Sequence, residues 1–290
     1  MTHPLRSLLF VPGNHPRKVA KVFTTGADAV ILDLEDAVAI AEKVATRTAV
    51  TEALKSARRC LAFIRVNAMS TEFCHGDLAA IVTKGLDGIV LPKVEAPWQL
   101  LAADWLLSAL ERDAGLAPGA IDLMPIIETG AGVAAVREIA ASGTRVKRLA
   151  FGAGDYSVDM NLTWTRDEAE MAHARATIAV ASRAAGLEPP IDTVFADLTD
   201  ADGFAEAARR ALAAGFQGKM CIHPNQVAPA NAVFTPGEVE VARARKIVAA
   251  FDEAEASGSA SIQLDGQFID YPIVERARRI LATLARIEGG

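Results

Sequence analysis

Eight short, almost uninterrupted apolar runs recur along the chain, and this repeat limits its fold more than any other feature. The runs are RSLLFVP (6–12), AVILDLE (29–35), RCLAFIRVN (59–67), GIVLPKV (88–94), IDLMPIIE (121–128), VKRLAFG (146–152), PPIDTVFA (189–196) and GKMCIH (218–223). A strand with one wet face alternates apolar and polar residues. These runs mostly do not, so they read as parallel strands buried on both faces. Longer Ala-rich segments at helical spacing separate them. In 201–215, Phe204, Ala207, Ala208, Ala211 and Leu212 recur on one face and Gly215 closes the helix. Eight βα units in roughly 230 residues are the arithmetic of a TIM (β/α)8 barrel. An open, doubly wound sheet is the alternative, because a miscount of one or two strands separates the two.

The repeat stops at Pro236. A long helix (about 237–256) comes next, followed by a Ser/Gly turn (257–261). SIQLDGQFID (261–270) then reads as a β-hairpin about Asp265-Gly266. The last helix carries Ile273, Val274, Ala277, Ile280, Leu281, Leu284 and Ile287 on one face. The chain therefore divides into a barrel domain, 1–235, and a C-terminal helical and hairpin extension, 236–290. The extension is not needed to close a barrel and is expected to pack on it or on a neighbouring subunit. Trp98 and Trp105 are expected to pack their helix against the barrel.

Composition excludes several classes. The 30 Lys+Arg against 36 Asp+Glu give a net charge of −6, which argues against a general nucleic-acid or membrane-surface binder. Local basic sites for an anionic ligand remain compatible with it. The 3 cysteines, Cys60, Cys74 and Cys221, form no CxxC pair, so neither a disulfide framework nor a Cys-rich zinc site is indicated. Cys221 reads as a small core residue rather than a nucleophile. No stretch of about 18 apolar residues suggests a transmembrane helix, and the first apolar run is too short for a signal peptide. The expectation is a reduced, cytoplasmic protein.

In such a barrel, chemistry belongs at the C-terminal ends of the strands. Several runs end there in polar groups: Glu35 and Asp36, Arg65 and Asn67, Lys93, Glu128, and the turn Gly152-Ala153-Gly154-Asp155. A single charge at a strand end is usually a solvated rim group or a helix cap. Four carboxylates and two cations converging on one face are more informative, because burying charge is costly unless it pairs or binds an ion. Glu128 and Asp155, from adjacent strands, suit a half-open Mg²⁺ site that takes its other oxygens from water and substrate. No histidine lies among these residues, which disfavours zinc or iron. Arg65 offers a fork that matches a substrate carboxylate, and the turn 152–154 brings backbone N–H groups close to a small anion. Together they suit a 2-oxo or 2-hydroxy acid chelated to Mg²⁺. The first βα turn, FVPGNHPRKVAK (10–21), has Asn14 as a candidate N-cap. Arg17, Lys18 and Lys21 form either a solvated basic face or a rim for the phosphates of a large cofactor.

These motifs, with PIIET (125–129), FGAGDYSVD (151–159), GKMCIHPNQV (218–227) and DGQFIDYPIVERA (265–277), resemble the citrate lyase beta-subunit-like enzymes. These belong to the HpcH/HpaI aldolase and citrate lyase superfamily. The resemblance runs from about Arg6 to Ala282. It implies a TIM barrel with a C-terminal extension, assembled as a homotrimer or hexamer. It further implies cleavage or formation of a carbon–carbon bond in a 3-hydroxyacyl-CoA thioester such as citramalyl- or malyl-CoA. By motif position, Glu128 and Asp155 would hold Mg²⁺, and Glu35 and Asp36 its waters. Arg65 would bind the substrate carboxylate with the turn 152–154, and Phe10, Pro12, Arg17 and Lys21 would lie near CoA. His15 departs from the family pattern, where Arg is frequent, and puts the detail of that rim in question. Asp270 would be the acid/base carried by the extension, often into a neighbour's site.

Without the resemblance, Asp270 reads as an N-cap before Pro272. Asp265 reads as a turn residue, Asp159 as outer support or a solvated group, and His223 as a mouth residue or a structural one. The alternatives to the lyase are a citrate lyase beta subunit acting on citryl-carrier protein or citryl-CoA, a thioesterase on the same ligands, and a non-catalytic binding barrel.

Overall fold

The computed structural model describes residues 5–289. Eight parallel strands close a barrel in sequence order. They are β1 (Ser7–Pro12), β2 (Ala29–Asp33), β3 (Leu61–Arg65), β4 (Gly88–Leu91), β5 (Asp122–Ile127), β6 (Ala150–Phe151), β7 (Ile191–Asp192) and β8 (Gly218–Cys221). The pairing of Ser7 with Lys219 and of Leu9 with Cys221 joins β1 to β8 and excludes the open sheet. Helices follow the strands in turn, among them Pro16–Val22, Lys43–Ala53, Cys74–Ile81, Pro97–Asp113, Ala153–Asp159, Ala172–Ala184 and Ala201–Ala213.

Strand parity explains both the core and the mouth. Leu8, Ile31, Phe63, Val90, Met124, Ile126, Ala150, Ile191 and Met220 belong to one interior cluster. Gly88 faces Phe63 so closely that a Cβ there would collide with its ring, so the bulk of β3 requires the glycine of β4. Side chains alternate with a period of two. Two residues beyond Ile31, Phe63, Ile126 and Ala150, the same inward parity brings Asp33, Arg65, Glu128 and Gly152 to the end of the barrel.

The strands β6 and β7 are much shorter than the apolar runs at 146–152 and 189–196. Arg148 leaves the ladder direction to pair with Asp122 (2.6 Å) and Glu188 (2.8 Å), and Pro189 and Pro190 have no N–H to donate. Two charges inside the runs face the helices instead of the core. Lys219 and Asp192 are both wholly buried and lie 2.6 Å apart. Arg175 joins Asp192 (2.8 Å) to Glu168 (2.8 Å). Burial opposes charge on Asp192, but Lys219 and Arg175 outweigh it and hold its pKa below the usual carboxylate range.

Two expectations fail here. Trp98 and Trp105 are 61% and 74% exposed, because their helix turns Leu100, Ala103 and Leu107 to the protein instead. Asn14 is not the cap of the first helix. His15 occupies that position without a side-chain bond, Pro16 supplies a first turn lacking one N–H, and Asn14 donates to Glu42. Cys221 is a core thiol, pushed up to about 12 by burial.

The chain forms two compact units, Leu5–Ala232 and a second from Val233 onward. In the second, helix Glu238–Ala256 is followed by the hairpin β9 (Ile262–Leu264) and β10 (Gln267–Ile269), then helix Tyr271–Glu288. Asp265 and Gly266 both have positive φ (50° and 77°), which matches the twist of a two-residue hairpin turn. Ala244, Ile247, Phe251, Ile269, Val274 and Ala277 form this unit's core. Among the described residues, no helix is long and apolar enough to cross a membrane.

Candidate active site

The strand-end charges form one connected cluster. Arg65 is clamped by Asp33 through two bonds, Nε to Oδ1 at 2.7 Å and Nη2 to Oδ2 at 2.6 Å. Its Nη1 is the edge Asp33 does not take, 3.1 Å from Glu35 Oε2 and 3.5 Å from Asp36 Oδ2. The guanidinium rests 4.9 Å above the Phe10 ring, a cation–π contact. Burial lowers the Arg65 pKa, but Asp33, Glu35 and Asp36 together raise it, so Arg65 is a permanent cation. Asp33 also accepts the backbone N–H of Glu35 and Ala37, which fixes the turn carrying Glu35 and Asp36.

Lys93 crosses to the other carboxylates. Its Nζ lies 2.7 Å from Glu35 Oε1, 3.0 Å from Asp155 Oδ2 and 3.7 Å from Asp36 Oδ1. Its backbone N–H donates to Glu128 Oε1 at 2.8 Å. Burial lowers the Lys93 pKa, but Glu35 and Asp155 raise it overall.

Glu128 is 4% exposed. Burial, then the charges of Glu35 and Asp155, push its pKa up to about 8. Glu35 is raised as well, chiefly by burial and against the pull of Arg65 and Lys93. Its Oε2 is within ion-pair reach of Arg65 yet accepts no hydrogen bond. A Cβ at position 152 would collide with Glu128 Oε2 and Cβ, so only glycine leaves room for this carboxylate.

The residues fit a hard divalent cation. The donors are all oxygen, two buried carboxylates are held above their normal pKa chiefly by burial, and one buried oxygen, Glu35 Oε2, accepts no hydrogen bond. Among the described residues no three His, Cys, Asp or Glu side chains form a complete metal cage. Glu128 and Asp155 thus offer a half-site, whose remaining oxygens would come from water and ligand.

The other sequence-derived residues fall as follows. In the turn after β6, Gly152 N–H donates to Ile127 O (3.0 Å) and Ala153 N–H to Thr193 Oγ1 (2.8 Å). Of the three, Gly154 N–H alone has no acceptor among the described residues, and the space beside it is open. Phe10 and Pro12 border a cavity of about 470 Å³ with Arg65, Asp33, Val194 and Ile222. Lys18 also lines it, whereas Arg17 and Lys21 are exposed on the same helix and do not. His223 Nδ1 accepts the N–H of Asn225, a structural cap. Asp159 accepts the N–H of Gly130 (2.7 Å), and Asp265 pairs with Lys246. Asp270, in the second unit, is half-buried and caps helix Tyr271–Glu288 through Ile273 N–H.

Two further side chains shape this end of the barrel. Asp33 orients Arg65, and its signal was an acid at inward parity inside AVILDLE, two residues before Glu35. Lys43, buried at the start of its helix, donates to Leu34 O, Glu35 O (2.6 Å) and Asn67 Oδ1 (2.6 Å) and so fixes the backbone of Glu35. Nothing local in the sequence marks it.

The family profile for HpcH/HpaI aldolase/citrate lyase matches residues 6–224. Citrate lyase subunit beta of Leuconostoc mesenteroides subsp. cremoris is 38% identical over 278 residues, covering 95% of this chain and 92% of that protein. L-malyl-CoA/beta-methylmalyl-CoA lyase of Cereibacter sphaeroides is 36% identical over 301 residues, covering 96% and 94%. The structure of protein CitE from Mycobacterium tuberculosis in complex with magnesium, acetoacetate and coenzyme A superposes with a TM-score of 0.77. Its sequence identity is 30%, over 98% of each chain. The chain belongs to the HpcH/HpaI aldolase/citrate lyase family.

Proposed function

We propose that this protein is a Mg²⁺-dependent carbon–carbon lyase that cleaves or forms a 3-hydroxyacyl-CoA thioester, such as citramalyl- or malyl-CoA. The products of cleavage are a 2-oxo acid and acetyl-CoA. One observation carries the reading: Glu128, buried and held at a raised pKa, shares a charge cluster with Asp155, Lys93 and Arg65 at the barrel's catalytic end. Glu128 and Asp155 would hold the ion, with Glu35 and Asp36 bonding its waters. When bound, Mg²⁺ polarises the carbonyl that forms as the carbon–carbon bond breaks.

The protein's own groups supply the rest. Arg65 Nη1, steadied by Asp33 and Phe10, binds the carboxylate of the oxo-acid half. Gly154 N–H adds a neutral donor to the same carboxylate. Asp270 serves as acid/base, taking the hydroxyl proton and protonating the thioester enolate carbon. The thioester is needed because its α-carbanion forms far more readily than that of a free acid. Phe10, Pro12, Arg17 and Lys21 lie toward CoA, and the cavity lined by Lys18 favours Lys18 as an additional contact.

The C-terminal extension, 236–290, acts as lid and oligomer contact in a homotrimer or hexamer. Three free cysteines accord with a cytoplasmic setting. A second reading rests on the beta-subunit relatives: citryl bound to an acyl carrier protein, or citryl-CoA, yielding oxaloacetate. A panel of malyl-, methylmalyl-, citramalyl- and citryl-CoA with Mg²⁺ tests the proposal, reading oxo acid and free thiol together. Oxo acid without thiol supports the lyase; thiol without oxo acid means a thioesterase and refutes it. Citryl bound to an acyl carrier protein is assayed beside the panel, and activity confined to it moves the assignment to the second reading.

A further inference from the structure

Lys93 departs from the inward parity that aims Asp33, Arg65 and Glu128. It follows the end of β4 with φ of 53°, a left-handed conformation that side chains other than glycine rarely adopt. A strained backbone persists only where its surroundings hold it, and such outliers concentrate at functional sites. Two contacts follow from the strain. The backbone N–H points to Glu128 Oε1 (2.8 Å), and the side chain reaches Asp155 Oδ2 (3.0 Å) and Glu35 Oε1 (2.7 Å). One residue thus touches both carboxylates assigned to the ion. A glycine would take this turn without strain, but it would bring no ammonium.

We propose that Lys93 is a positioning residue of the metal site with two separable actions: its N–H fixes Glu128, and its ammonium pairs with Asp155 and Glu35 in competition with the divalent ion. The proposal rests on the reading of Glu128 and Asp155 as ligands. Like charges repel across a few ångströms of partly buried protein. The ion therefore binds less tightly than two carboxylates alone would hold it, and it stays exchangeable between turnovers.

The test is Mn²⁺ binding to the full chain, without substrate, followed by electron paramagnetic resonance of free Mn²⁺. Lys93→Gly keeps the left-handed turn and the N–H but removes the ammonium. Lys93→Arg keeps a cation. Thermal melts verify that both are folded. Wild type should bind Mn²⁺, and Glu128→Gln should lose it. Lys93→Gly should bind at least about tenfold more tightly, and Lys93→Arg should stay within about threefold of wild type. Equal or weaker binding by folded Lys93→Gly overturns the role of Lys93 while leaving the metal ligands standing. Failure of wild type to bind Mn²⁺ through Glu128 overturns the ligand assignment itself, and the role of Lys93 with it.

Discussion

Replacing Glu128 by Gln should stabilise the metal-free protein at alkaline pH. Glu128 is 4% exposed, and burial together with Glu35 and Asp155 raises its pKa from 4.5 to about 8. In the unfolded chain the same carboxyl ionises near 4.5. Between these values the folded state holds a proton that the unfolded state has lost, so stability falls as pH rises. The contribution is fully present below pH 4.5 and is gone above about 8. At about 1.36 kcal/mol per pH unit, the window spans about 5 kcal/mol. Gln has nearly the same shape, keeps an acceptor for Lys93 N–H and does not titrate. Urea unfolding of chelator-treated protein from pH 5 to 9 should show wild-type stability declining through the window and a much flatter curve for Glu128→Gln. The variant should be the more stable at pH 9, by several kcal/mol and up to about 5. Saturating Mg²⁺ should recover wild type at pH 9 and leave the variant unchanged. Flat wild-type stability, or a variant less stable at pH 9, would refute the electrostatic argument.

Other residues give independent checks. Asp192→Ala leaves the buried Lys219 without a counter-charge, while Arg175 keeps Glu168, and should cost about 3–5 kcal/mol in denaturant unfolding; a loss under about 1 kcal/mol would show that water reaches Lys219. Arg65→Lys keeps the charge but loses the two-pronged clamp of Asp33, so KM should rise at least about tenfold with the fold intact. An unchanged KM would remove Arg65 from substrate binding. Asp270→Asn should lower turnover by about 10²-fold or more while CoA still binds, and mixing it with Arg65→Ala should restore activity if the extension serves a neighbour's site. Demonstrably mixed oligomers without activity would reject that sharing.

Much of the barrel end was legible because strand parity is a local property. Arg65 and Glu128 each stand two residues beyond an inward core residue, and the end of an apolar run marks them. Asp33 obeys the same parity but sits inside AVILDLE, and its meaning depends on Arg65, a partner 32 residues away. Lys93 was readable as a charge but not as a bridge, since no glycine announces the left-handed turn that aims it. Asp192 and Lys219 shortened no prediction on their own. Only the closed barrel sets them 2.6 Å apart facing the helices. Trp98 and Trp105 show the converse error: apolar identity does not fix which helix face is buried, and the Leu100, Ala103, Leu107 stripe decided it. The hairpin was read correctly because Asp265-Gly266 must take positive φ.

The proposed reaction is a Mg²⁺-assisted carbon–carbon cleavage at this carboxylate cluster. The most direct measurement is the release of pyruvate and acetyl-CoA from citramalyl-CoA, by wild type and by Asp155→Asn, with chelator and after Mg²⁺ is restored. Wild type should form both products only with Mg²⁺, without free CoA thiol, and Asp155→Asn should form neither. Pyruvate released at full rate in chelator, or by Asp155→Asn, would contradict the account.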